Sequence, residues 1–397
     1  MAQNKYSNVM LDQMTRVLGS FGITARNCTL DYISGVIPEK AMQDARKFIL
    51  TGCGDSYCAG IAAKPVFENK ESSTKTGMTP GTPTEALRNI EYTRYYNTYC
   101  GWEGDNFYDL AHALIAISNS GGPRRPLEAL MRAKKHGRTA IAVTSNLGGP
   151  FAQAADYVVE MFYDKSDGHV NVINYVTSLY TCMMIGLYAS VCKGQMTLEE
   201  AERQRKSAIR YVNSLVGEKY EEISEHAMDM SERWSAAGVD YMDFIGDGPD
   251  WATAFFGSAK MVESFGGLTT NDDSEDWNHI NFFNRSPEHI GTFLIANEES
   301  PAFSREVETA ATAAAIGRPL CVITDTDKDV FPKSADVFHM PKSEFKWIMP
   351  LMEHLPMDFV AAYWGAIKGI PEFCQGSRYH DLDVQCVRFK QSKLVVL

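Results

Sequence analysis

Leu114-Ile115-Ala116-Ile117-Ser118-Asn119-Ser120-Gly121-Gly122 is an apolar run that breaks into two hydroxyls, an amide and a pair of glycines. A helical period through Leu127, Leu130, Met131 and Lys134 follows. The order predicts a buried strand, a tight turn and a helix. The same unit recurs along the chain. Phe48-Ile49-Leu50-Thr51 runs into Gly52-Cys53-Gly54-Asp55-Ser56, and Phe244-Ile245 runs into Gly246-Asp247-Gly248. At an offset of about 180 residues, Gly137-Arg138 and Ala140–Thr144 match Gly317-Arg318 and Leu320–Thr324, while Ala155-Asp156-Tyr157-Val158 matches Ala335-Asp336-Val337-Phe338. Leu114–Ser118 matches Phe293–Asn297. The chain reads as a tandem duplication.

Strands alternating with helices imply α/β architecture: a parallel sheet in each half, covered by helices on both faces as a three-layer sandwich. The expected division is an N-terminal helical segment over 1–39, a first domain over 40–196, a helical bridge over 197–236 rich in Glu, Lys and Arg, and a second domain with a C-terminal tail over 237–397. With 397 residues, two domains fit the length. Apolar residues make up 45% and charged residues 22%, which excludes disordered and fibrous classes. The net charge is −12 and the longest basic runs are Arg124-Arg125 and Lys134-Lys135, so neither nucleic acid nor an anionic membrane is expected as a partner.

No leader peptide is evident in the first twenty residues, and nine scattered cysteines suit reduced thiols in a cytoplasmic protein. Val170–Cys192 carries no charge and is long enough to span a bilayer, yet it includes Asn171, Asn174, Thr177, Ser178, Thr181 and Ser190. It is expected to be a helix buried in a core or a subunit interface.

Ligands of open parallel sheets bind beyond the carboxyl ends of the strands. Two turns there could hold an anion: Ser118-Asn119-Ser120-Gly121, and Gly52–Ser56, in which Gly54 and Ser56 are the candidates. A capped turn without a ligand is the plain alternative. The Gly52-x-Gly54 pair lacks the later glycine and the acidic residue of a dinucleotide site, so no such cofactor is expected. In the second half the corresponding turn is Asn297-Glu298-Glu299-Ser300-Pro301, whose carboxylates would repel a phosphate.

Ile115–Gly122, with Leu127-Glu128-Ala129-Leu130, Ala133-Lys134-Lys135-His136-Gly137, Ala142-Val143-Thr144 and Ala155-Asp156 in that order, resembles the sugar isomerase (SIS) domain. From about residue 40 onward the chain is similar to double-SIS proteins: the isomerase half of glucosamine-6-phosphate synthase and the phosphoketosamine deglycases. The resemblance implies two flavodoxin-like SIS domains and a cytoplasmic homo-oligomer, a dimer or larger, without cofactor or metal. Its substrate would be a small anionic sugar, phosphate or sulfonate, converted by aldose–ketose proton transfer between C1 and C2. A deglycase shares the same residues, and a sugar-phosphate-binding regulator without turnover is a third possibility. Glutamine-dependent synthesis is not expected, since Ala2 stands where a preceding glutaminase domain would carry its nucleophilic cysteine.

The resemblance implies that Glu263 is the base and that His279, sixteen positions later, opens the ring or protonates the leaving atom. Ser56, Ser118, Asn119, Ser120, Gly121, Arg124 and Lys260 form the expected substrate- or anion-binding set, with Gly54, Asp167, His169 and Arg378 behind them. Read without the resemblance, Glu263 is a helix carboxylate paired with Lys260 at i, i+3, and His279 ends a solvated acidic loop. A metal held by Glu275, Asp276 and His279 lacks a second histidine at ligand spacing and is not expected. Two departures stand out. Pro123-Arg124-Arg125 replaces the acidic residue and threonine usual after the anion turn, so Arg124 or Arg125 either reaches back toward the anion or, with its neighbour, points outward on the first turn of the helix. The ring-opening lysine of the synthase also has no clear match, Lys390 and Lys393 lying further along.

Overall fold

The computed structural model describes residues 5–69, 81–96, 111–165, 172–371 and 390–397. Two five-stranded parallel sheets organise them. β1 (Lys47–Gly52), β2 (Thr84–Arg88), β3 (His112–Ile117), β4 (Thr139–Thr144) and β5 (Tyr157–Glu160) lie in the order β2-β1-β3-β4-β5. β6 (Tyr241–Ile245), β7 (Leu268–Asp272), β8 (Ile290–Ile295), β9 (Leu320–Thr324) and β10 (Asp336–His339) lie in the order β7-β6-β8-β9-β10. The duplication read from the sequence therefore extends to the topology, strand for strand. In each sheet the middle strand, β3 or β8, is buried along its whole length, as an apolar run without alternation requires.

The paired glycines have one role in both halves. A Cβ on Gly52 would stand 2.6 Å from the backbone carbon of Ser56, and one on Gly246 would stand 2.4 Å from the carbonyl oxygen of Asp250. Two residues on, Gly54 and Gly248 take φ values of +53° and +57°, which glycine adopts without strain. Each helix, Asp55–Glu68 and Asp250–Phe265, can thus start directly above its strand end.

The described residues fall into two compact units. One, around β1–β5, takes in the described residues of 19–165, 173–207 and 390–397; the other, around β6–β10, takes in 5–18, 172 and 208–371. Helices Leu198–Asn213 and Glu218–Ala236 occupy the stretch read as a bridge. The described part of the tail, expected with the second sheet, groups with the first.

Helix Val172–Cys192 is a core element: 89% of its most apolar stretch is buried. In the first unit, Tyr180 meets Phe21 edge to face at 5.2 Å and Thr177 meets Thr24 at 3.2 Å, while Gly186 admits Phe67 and Val66 at close range. Its lack of charge is explained within the chain and requires no partner subunit.

The second sheet contains one fully buried ion pair. On β6, Asp243 accepts from Arg318 Nη1 at 2.8 Å, Trp277 Nε1 at 3.2 Å and Thr270 Oγ1 at 2.6 Å, and Arg318 Nη2 donates to the Asn281 carbonyl at 2.7 Å. Removing one partner would leave the other charge buried and uncompensated. Arg318→Met should therefore lower stability by about 3–5 kcal/mol in urea unfolding, with part of the loss recovered when Asp243→Asn is added. An unchanged urea midpoint for Arg318→Met would contradict this account of the second sheet.

Candidate functional site

β1 and β3 are neighbours, so the turns that follow them share one edge of the first sheet. Ser118, Asn119, Ser120 and Gly121 form the turn after β3, closed by Gly121 N donating to the Ser118 carbonyl at 3.2 Å, with Gly121 at φ +63°. The Asn119 carbonyl accepts from Thr144 Oγ1 and Ser145 N, and its side-chain oxygen accepts from the Tyr163 hydroxyl at 2.9 Å. Ser120 Oγ accepts from Gly122 N at 3.3 Å. Ser118 is 4% exposed, and no hydrogen bond engages its hydroxyl among the described residues. Ser56, in the first turn of its helix and beside Gly54, likewise keeps an unengaged hydroxyl. The structure thus gathers five of the expected anion-binding residues, together with Gly54, on one edge.

Arg124 and Arg125 do not turn back over Gly121-Gly122. Both face the C-terminal residues: Arg124 Nε donates to the Lys390 carbonyl at 2.9 Å, and Arg125 Nη2 to the Lys393 carbonyl. The arginines are thus bonded to backbone carbonyls of a segment distant in sequence. Asp167, His169 and Arg378 lie outside the described residues.

The corresponding edge of the second sheet has the opposite chemistry. Its turn after β8 closes with the same bond, Ser300 N to the Asn297 carbonyl at 2.8 Å. Asn297, in the place of Ser118, donates Nδ2 to Asp250 at 3.1 Å and to Glu353 at 3.0 Å, and Glu353 also accepts from Thr253 Oγ1 at 2.6 Å. Burial pushes Asp250 up to about 7 and Glu353 well above the carboxylate range. Glu306, on the next helix, rises to about 9 for the same reason. Among the described residues, no three His, Cys, Asp or Glu side chains stand together as a metal site would need. Sequence reasoning missed this cluster. Its only local signal is Glu353-His354, and Asp358 after it, inside an otherwise apolar stretch.

Glu263 lies on helix Asp250–Phe265 and is part exposed, its carboxylate bonded to the ammonium of Lys260. Lys260 is fully buried, over the Phe256 ring at 4.9 Å, with its ammonium against the Glu263 carboxylate. His279 ends a short helix, Ser274–His279, capped by the Asp273 side chain, which accepts from Glu275 N and Asp276 N. The acidic run is therefore helical, and not an open loop. The His279 ring is exposed and meets Glu275 at 3.2 Å, and Arg305 holds the other oxygen of Glu275 at 2.7 Å.

No family model matches the chain. Its sequence is similar to curated glutamine–fructose-6-phosphate aminotransferases (isomerizing). It is 27% identical over 256 residues to that of Clostridium tetani, covering 64% of this chain and 37% of that protein. To that of Thermotoga maritima it is 22% identical over 344 residues, covering 84% and 51%. The chain thus spans between about a third and a half of the length of these relatives. Among solved structures, the C-terminal domain of glucosamine-fructose-6-phosphate aminotransferase from Francisella tularensis superposes with a TM-score of 0.76 at 15% identity, covering 93% of this chain and 99% of that one. Tagatose-6-phosphate ketose/aldose isomerase from Escherichia coli superposes at 0.65 and 13% identity, covering 94% and 96%. The two tandem parallel sheets of this chain are thus the fold of these solved structures.

The buried acids of the second edge make a measurable prediction. The folded state holds protons that the unfolded chain releases near pH ~4, so stability should fall as pH rises from about 4 through about 7, by up to ~1.4 kcal/mol per pH unit for each proton. Asp250→Asn removes one such group. Its stability relative to wild type should climb between pH ~5 and ~8 in urea melts, and a pH-independent difference would contradict the protonated cluster.

Proposed function

We propose that this chain is a sugar isomerase acting on a 6-anionic sugar, moving a proton between C1 and C2 through an enediol. The observation that carries the reading is the buried, unengaged hydroxyl of Ser118 in a small-residue turn at the carboxyl edge of the first sheet, with the Ser56 hydroxyl on the same edge. Hydroxyls and backbone N–H groups at such an edge suit a phosphate or sulfonate. Glu263 is the base in this reading. Its carboxylate takes the C2 proton of the open-chain aldose while O1 gains one, giving the enediol; return of a proton to C1 and loss of the O2 proton yields the ketose. Lys260 fixes the carboxylate's position. His279 serves ring opening, the step that exposes the carbonyl.

The similarity to aminotransferases that isomerise fructose 6-phosphate and to a ketose/aldose isomerase supports the substrate class. Six described cysteines are free thiols, five of them buried, which supports a reducing, cytoplasmic setting. Ile280 and Phe283 follow His279 and are 63% and 74% exposed. An apolar face beside a candidate catalytic residue supports a homo-oligomer in which that face is covered.

Turnover of a panel of 6-phospho and 6-sulfo aldoses and ketoses, with their amine adducts, tests the activity. Glu263→Gln should retain binding while kcat falls by about 10²–10⁴. Wild-type turnover in that variant removes Glu263 from the mechanism, and release of free amine from the adducts would make the chain a deglycase. In sedimentation the protein should run as a dimer or larger; a stable, fully active monomer would overturn the oligomer.

A further inference from the structure

The turn after β3 is held from one side by the residues at the end of β4. Thr144, the last residue of that strand, donates its hydroxyl to the Asn119 carbonyl at 2.9 Å. Ser145 gives the same carbonyl two more donors, its N–H at 3.1 Å and its hydroxyl at 3.0 Å. One residue on, Asn146 Nδ2 donates to the Ser120 carbonyl at 3.1 Å. Gly149 leaves room for that amide, since a Cβ there would stand 2.8 Å from Asn146 Nδ2. Four donors from three residues thus draw two successive carbonyls of the turn toward β4.

In a planar trans peptide the N–H points opposite to the carbonyl. Fixing the Asn119 carbonyl therefore fixes the Ser120 N–H, which points away from Thr144 and Ser145. Neither Asn119 N nor Ser120 N makes a hydrogen bond among the described residues. An oriented backbone N–H without a partner, two residues from the unengaged Ser118 hydroxyl, is a donor that an anion can take.

The second half shows the alternative. Thr324 and Asp325 stand at the end of β9 as Thr144 and Ser145 stand at the end of β4. There Thr324 Oγ1 bonds the Ala296 carbonyl, ahead of the turn, at 2.5 Å. Asp325 Oδ1 accepts from Glu298 N, the N–H that follows Asn297, at 2.7 Å. Where the first half has a hydroxyl donating to a turn carbonyl, the second has a carboxylate that has taken a turn N–H. The second turn already holds an anion, and the chain itself supplies it.

We infer that Ser145, with Thr144, is the positioning residue that keeps the first turn open to an anion: it holds the Asn119 carbonyl and so presents the Ser120 N–H, whereas an acid at the same position fills the turn from within. The inference rests on the proposed anion site and names the residue that decides which of the two turns can accept a ligand. Ser145 acts through the Asn119 peptide and not on the anion.

Titration calorimetry with inorganic phosphate at low ionic strength tests this on the full chain. Ser145→Ala should weaken binding by about three- to tenfold, the worth of one hydrogen bond, while Ser145→Thr, which keeps the hydroxyl, should stay within about twofold of wild type. Ser145→Asp should lower affinity by about 100-fold or more, because it brings to the first turn the carboxylate that occupies the second. With the variants folded by circular dichroism, wild-type affinity in Ser145→Ala or in Ser145→Asp overturns the role of Ser145 and leaves the anion turn standing. A loss in Ser145→Thr as large as that in Ser145→Ala overturns it as well, because the hydroxyl would then not be the group that matters. Failure of the wild-type protein to bind phosphate overturns the anion turn and this inference together.

Discussion

β3 and β8 are buried from end to end, and that burial constrains everything else in the molecule. A parallel strand covered on both faces has no solvent side on which to place a polar group, so chemistry moves to the residues after its carboxyl end. In the first sheet those residues are Ser118 to Gly122, and in the second Asn297 to Pro301. The neighbouring strands deliver their own turns to the same edges because Gly52 and Gly246 let a helix start within van der Waals range of the strand end. Two sheets of identical order thus present two edges of identical backbone design.

What differs between the edges is charge. The bond that closes the turn is kept, Gly121 to Ser118 in one half and Ser300 to Asn297 in the other. Around the first, the Ser56 and Ser118 hydroxyls are unengaged among the described residues. Around the second, Asn297 is clamped between Asp250 and Glu353, and Glu298, next along, draws Lys328 and Lys342 to itself at 2.6 and 2.8 Å. The carboxyl of Glu298 is held down at about 2 by those two lysines. These two lysines are thus taken up by a carboxylate, and a phosphate would meet the charge of buried and exposed acids at this edge. Duplication supplied the frame twice, and substitution at a handful of turn positions gave the two edges different polar chemistry.

Much of this was legible before any coordinates. Apolar runs such as Leu114–Ile117 and Leu320–Thr324 announce strands because a doubly buried strand cannot alternate, and the repeated Gly-x-Gly carries a local steric requirement. The uncharged run ending at Cys192 was legible as a buried helix, since six polar residues spread along it suit a protein interior better than lipid. The side-chain environments were harder. Nothing near Arg124 in the sequence indicates that the Lys390 carbonyl will be its partner, and two adjacent arginines at a helix start look like anion ligands until residues 390–393 are in place. The full burial of Lys260 was also hidden, because an i, i+3 pair on a helix reads the same whether its lysine is exposed or packed over Phe256. Asp250 and Glu353 are a hundred residues apart, and only the fold brings them to one asparagine.

The central claim is that the anion belongs to the first edge and not to the second. Crystals soaked in selenate, a tetrahedral anion with a strong anomalous signal, would locate it directly. The account predicts an anomalous peak within hydrogen-bonding distance, about 3 Å, of Ser118 and Ser120. A peak at the turn of Asn297 to Pro301, or none at the first edge, would contradict it.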